Sequence, residues 1–470
     1  MVRAKFFART ALALTLSLGV AAGGFSAAEA KDKKPAAAPA GPAYKPTEKF
    51  VKAYVPAAKA LEAAIKRADV LAQRQKVADG AQRVNSATGK PAKDAALADM
   101  NAQITALQGM LAPEKALVDA AVAAGSNPDD KLISGQLLVN YGNIAIDKNT
   151  QKIGLQMQLD SGKLPAETVP LVHFTLGRLA MEVKDYATAQ REMKLAVDGG
   201  YTKDEAEFFL ANSYLLDKQL PIGLRMLHDA IVRNGTASPE YWIDNGVVQA
   251  FNNKMPAETN LLAADLVTNY PSKQNWDRAI FTITTINKYN GQEKLDLLRL
   301  RDRTNSFQDA ADYIDYIVYA DPKRLPAEVL RIIDQGTKAG VISASTPIDN
   351  LGNTVGKLQL QAKGRLAEDN NLLIIQEKDA RGPRADAATV VGAADTFLSH
   401  GMYPKAEEMY RLALTKPGVD AGRVNLRLGI ALVSQSKFAE AITVFGEVKD
   451  ARAPIANLWI VYAKQKMAGK

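Results

Sequence analysis

The chain has 470 residues, 47% of them hydrophobic and 23% charged, with 59 Lys and Arg against 51 Asp and Glu for a net charge of +8. This length supports a sizeable core and the balance is that of globular proteins, which excludes wholesale disorder and collagen-like structure. Cysteine is absent, which excludes disulfides, thiolate zinc sites, iron–sulfur clusters and a catalytic or lipidated cysteine; the three histidines, His173, His228 and His400, lie too far apart in sequence for a local metal motif.

Residues 1–30 read as a secretory signal peptide. Arg3, Lys5 and Arg9 give a basic start, Ala11 to Gly24 form an apolar run, and Ala28-Glu29-Ala30 is an A-x-A cleavage site. The run is shorter than the roughly 20 residues a membrane span needs, and no later segment is long and apolar enough to supply one. The expectation is a periplasmic or secreted protein with no transmembrane segment after signal removal. Export and a charge excess spread along the chain argue against nucleic acid as a partner. Residues 31–46, rich in Pro, Ala and Lys, bury no apolar surface and read as a flexible linker. The Lys31 to Lys34 cluster is better read as a soluble tail than as a lipid contact.

From Thr47 the pattern is helical. Phe50, Tyr54, Ala57, Leu61, Ala64, Ile65, Ala68 and Leu71 recur at threes and fours, the signature of one apolar helix face. A break at Ser86 to Pro91 precedes a second run through Leu97, Met100, Ile104, Leu107 and Leu111, and Pro113 suits the first turn of the next helix. Residues 47–128 therefore form an N-terminal helical segment. Strand-like alternation is almost absent, so the chain is expected to be all-α.

Internal similarity begins beyond residue 129. Gly142 and Gly154 stand 35 residues before Gly177 and Ala189; Gly177 and Ala211, like Ala196 and Ala230, stand 34 apart. The pattern returns more sharply near the C-terminus. Ala394, Phe397, Tyr403, Ala406, Tyr410 and Ala413 are matched at a constant offset of 35 by Gly429, Leu432, Phe438, Ala441, Phe445 and Val448. Such a period means stacked supersecondary units.

These residues resemble the tetratricopeptide repeat (TPR) family, in which small residues let paired helices approach and large ones fill the gaps between neighbours. Here Asn425 stands where the family has Trp, and Pro454 falls one residue late. The resemblance implies a right-handed α-solenoid of stacked antiparallel helix pairs. It places TPR-like repeats over 129–340, clearest at 171–270, a helical connection with irregular segments over 341–386, and C-terminal repeats with a capping helix over 387–470.

Chemistry-bearing motifs are not seen: there is no phosphate loop, dinucleotide fingerprint or nucleophile elbow. Acidic clusters such as Asp129-Asp130, Asp309 to Asp315 and Glu368-Asp369 read as solvated or helix-terminal charges. Tyr313, Tyr316 and Tyr319 read as inter-helix packing, and Arg299, Arg301 and Arg303 as a solvated face. The expectation is a non-enzymatic scaffold without cofactor or metal, binding a protein or peptide partner on the concave face of its solenoid. The alternative is a glycan- or peptidoglycan-associated accessory of the cell envelope. The first candidates for partner contact are His173, Arg178, Asn212, Tyr241 and Asn245.

Overall fold

The computed structural model describes residues 44–203 and 205–469, so the expected signal peptide and residues 31–43 of the expected linker lie outside the described residues. Among these, 22 α-helices and no strand occur; the one isolated β-bridge joins Pro347 and Thr354. Successive helices pack as adjacent pairs, which bears out the all-α, stacked-pair architecture. The chain divides into two compact units, one ending at Ser213 and one beginning at Tyr214.

Unit 1 opens with α1 (Glu48–Lys66), α2 (Ala68–Ser86), α3 (Lys90–Met110) and α4 (Ala112–Ala124). The apolar stripe read through Leu71 is interrupted at Arg67, whose extended backbone separates α1 from α2. The Arg67 guanidinium holds the break by reaching Asp69 at 2.7 Å and Glu114 at 2.8 Å. Helix α1 packs on α4 and α2 on α3, making a two-stage helical hairpin. The α1–α4 stage is filled by Phe50, Leu61, Leu111 and Val118, whereas α3 buries only Leu107. The chain is already fastened just before α1: Lys45 N–H donates to Asp129 at 2.9 Å, and Thr47 donates to Asp130 from both its N–H and its hydroxyl.

Next come α5 (Pro128–Ala145), α6 (Lys148–Asp160), α7 (Val169–Glu182) and α8 (Tyr186–Asp198), with α9 (Ala206–Leu216) carrying the boundary between the units. Asp130 begins α5 in a capping box with Asn127. The α5–α6 pair is held at backbone contact: a Cβ on Gly135 would lie 2.6 Å from the Gly154 carbonyl oxygen, and one on Gly154 equally close to that of Gly135. Only glycine fits there. Gly177 of α7 faces the Met193 side chain of α8, whose Cγ would lie 2.5 Å from a Cβ at this position.

Unit 2 continues with α10 (Leu220–Asn234), α11 (Glu240–Asn252), α12 (Pro256–Asn269), α13 (Lys273–Asn287), α14 (Gly291–Arg303), α15 (Ala310–Ala320) and α16 (Pro326–Lys338). An irregular stretch follows, then the 26-residue α17 (Val355–Ala380). The sharpest repeats become α18 (Ala387–Ser399), α19 (Tyr403–Leu414), α20 (Ala421–Ser434) and α21 (Phe438–Gly446), before α22 (Ala453–Met467). A side chain at Gly429 would run into the Phe445 ring, so the small-against-large repeat rule operates directly between α20 and α21.

Helix α22 does more than cover the last pair. It also packs on α12 and α14, where Trp459 donates its indole N–H to the Asp296 carbonyl at 3.3 Å and Gln465 donates to the Val267 carbonyl at 2.7 Å. Tyr289 donates to the Ala451 carbonyl at 2.9 Å, and Trp276 meets Tyr462 edge to face. One apolar core accordingly joins residues 263–300 to 380–463.

Candidate functional site

Helix α14 explains why unit 2 closes on itself. Leu295, Leu297, Leu298 and Leu300 are buried around it, and so are Asp296, Arg299 and Arg301. A buried charge is tolerated only when paired and hydrogen-bonded, and these are. Arg299 forms a two-pronged pair with Glu328, at 2.8 and 2.7 Å, and reaches Asp296 at 2.7 Å. Tyr316 donates to Glu328 at 2.6 Å. Arg427, 1% exposed, reaches from α20 to Asp395 on α18 and to Gln292 on α14, each at 2.6 Å. Tyr410 and Arg423 complete the shell of Asp395, both at 2.6 Å. Burial alone would raise the carboxyls of Glu328 and Asp395; Arg299 beside the first, and Arg427 with Arg423 beside the second, hold both below their ordinary values.

The arginine cluster expected on a solvated face is thus corrected. Arg299 and Arg301 are buried, Arg301 pairing with Asp277 at 2.6 Å and with Asp312, and only Arg303 is exposed, donating to Ser434. The reason is the central position of α14, which leaves it almost no solvent side. Tyr313 and Tyr316 are core residues as expected.

Beside this network lies an open cleft of about 560 Å³, within the size range of small-ligand sites. One wall is α18, whose Ala388, Val391, Gly392 and Asp395 share a face by their spacing of three and four. The others are the loop Lys323–Leu325, Arg365 of α17, and Gly418 to Val424 at the start of α20. Its charge balance is positive. Asp395 is held by Arg423 and Arg427, and Asp420 by Arg452 at 3.0 Å while it caps α20. Arg365 is braced by Glu368 and Asp369, both at 3.0 Å. Lys323 and Arg324 are exposed and, among the described residues, make no ion pair. The Nε–H groups of Arg365 and Arg423 are buried without an acceptor.

The candidate contact residues lie elsewhere. In unit 1, His173 on α7 is tied to Glu192 of α8 at 2.8 Å, and Arg178 lies over the Phe209 ring at 4.8 Å; Asn212 sits one turn beyond on α9. In unit 2, Tyr241 and Asn245 occupy consecutive turns of α11, Tyr241 against Trp242. All five are partly exposed. Pattern reading missed the cleft, whose cations come from separate elements with no local motif. The one available signal was a pair of adjacent bases, Lys323-Arg324, just before a helix start.

Among the described residues no group of three or more potential ligands converges to hold a metal, and no helix is long and apolar enough to cross a membrane. No model of a known protein family matches the chain, and no curated protein sequence matches it.

Proposed function

We propose that this chain is a non-enzymatic, exported TPR-like scaffold that binds a protein or peptide partner, and that its binding surface is carried by the repeats before α14. One observation supports this placement. Helices α18 and α20 are tied to the chain's own α14 and α16, through Arg427 to Gln292 and through Glu328 N–H to the Ser399 hydroxyl at 3.2 Å. His173, Arg178 and Asn212 in unit 1 and Tyr241 and Asn245 in unit 2 remain partly exposed. A scaffold of stacked pairs collects binding energy along such positions rather than in one pocket.

The test is site-specific photo-cross-linking in the cell envelope, with the photoreactive residue placed in turn at Arg178, Asn212, Tyr241 and Asn245, and at Ser434 as the control in the closed region. Capture of one protein species from the first four positions, and none from Ser434, is the expected result. Equal capture from all five, or capture of glycan alone, would overturn the reading, and the latter outcome would favour the envelope-glycan alternative.

A further inference from the structure

We propose that the cleft between the Lys323–Leu325 loop, α17, α18 and the start of α20 is a binding site for a small multivalent anion, a phosphate ester or a polycarboxylate. Three independent features lead there. First, the carboxylates in its wall are already committed: Asp395 accepts from Tyr410, Arg423 and Arg427, and Asp420 is occupied by Arg452 and by the first turn of α20. The positive charge of Lys323 and Arg324 is left uncompensated at the rim.

Second, two lining arginines, Arg365 and Arg423, are part-exposed, with 40% and 28% of their side chains accessible. A guanidinium is built to bind carboxylate or phosphate through paired N–H groups. Each of these guanidiniums is already oriented through its terminal nitrogens, Arg365 by Glu368 and Asp369 and Arg423 by Asp395. The two guanidiniums are therefore preorganised at the cleft wall. Third, the first turn of α18 contributes Ala387 and Ala388 to the lining, where the helix dipole favours negative charge. Asp386 caps that turn through the Thr389 N–H at 2.8 Å and partly offsets this attraction, so the arginines and the rim cations carry the site.

The division of labour follows from exposure. Arg365 and Arg423 are fixed groups that set where the anion sits. Lys323 and Arg324, on a loop before α16, are exposed cations without ion pairs at its rim. The Val391 and Val424 side chains and the Cβ-free Gly392 leave room for a non-polar body attached to the anionic group. This site is independent of the surface proposed for the partner: α7, α9 and α11 contribute nothing to it.

Isothermal titration calorimetry of the purified full chain at low ionic strength tests it, with pyrophosphate in one arm, citrate in a second and acetate as the monovalent control. Saturable one-to-one binding in either of the first two arms, weakened by added salt, is expected, and the arm that binds tells phosphate from carboxylate chemistry. A K323Q/R324Q double variant removes two exposed side chains without ion pairs, so its melting profile stays unchanged while affinity falls about tenfold or more. R365Q gives a second reading from the fixed side of the cleft. Absence of saturable heat with both multivalent probes, or affinity unchanged in the double variant, would overturn the proposal. Loss of partner cross-links alone would leave it standing.

Discussion

The α5–α6 pair of unit 1 and the α14–α20 contact of unit 2 solve the same problem, holding two helices together, by opposite means. Gly135 and Gly154 bring backbones into direct contact, across 19 positions of sequence, with no charged group between them. Arg427, Asp296 and Asp395, with the neutral amide of Gln292, instead bridge helices through ionised groups from positions far apart in the chain. Glycine contact is cheap in charge but demanding in shape, since any Cβ collides. The ionic contact tolerates irregular spacing yet carries a large desolvation cost, offset only while every member is paired. The first device is a property of a repeat; the second belongs to a closure that no single repeat contains.

The largest expected effect breaks the ionic side. R427M removes the cation that faces Asp395 and Asp296 and leaves both carboxylates short of a partner, at a cost of about 3–5 kcal/mol. All three tryptophans, Trp242, Trp276 and Trp459, lie in unit 2, so the loss is read as an earlier fluorescence transition in urea. An unchanged midpoint would mean that apolar packing of α22 alone closes the unit.

The glycine side is broken by G135A, which sets a methyl 2.6 Å from the Gly154 carbonyl oxygen. Overpacking of this kind costs about 1–3 kcal/mol. Far-UV circular dichroism should detect it while the tryptophan transition stays in place, because unit 1 contains no tryptophan. A tryptophan shift as large as that of R427M would show that the two units unfold together.

The smallest effect sharpens the comparison within unit 2. Asp265, 2.6 Å from His228 Nδ1, raises the imidazole above its ordinary value, against a smaller opposing effect of burial. His400 is lowered by burial, which Asp369 only partly offsets. The contribution of His228 is therefore fully present below about pH 6.5, the ordinary histidine value, and is lost as pH rises through its raised folded value. For His400 the fold favours the neutral ring, so stability is lost as pH falls below the ordinary value towards the lowered one. Proton NMR titration of the two C2–H signals should place them on opposite sides of that value. H228Q should weaken unit 2 only on the acid side, and H400Q should relieve it there.

The helical pairs at 171–198 and 387–446 are legible because their cause is local. Gly177 meets Met193, and Gly429 meets Phe445, within one repeat, so the spacing of small and large residues in the sequence is itself the packing rule. Arg299 and Arg301 are not legible in this way. Alternating charges on a helix read as a wet surface until other elements cover them, here α16 for Arg299 and α13 and α15 for Arg301. The cleft is less legible still, because Lys323, Arg365 and Arg423 are brought together only by the docking of four elements.

What the sequence by itself determined is the helical class, the repeat period and the residues at which paired helices touch, since each depends on side-chain periodicity and size over a few tens of positions. What only the tertiary structure decided is where the array stops being open. The return of α22 onto α12 and α14 joins groups more than a hundred residues apart, and the burial of the α14 charges and the unpaired cations left at the cleft depend on side chains gathered from several elements. Their pairing is set by desolvation and geometry in the assembled core, and no local pattern in the chain records it.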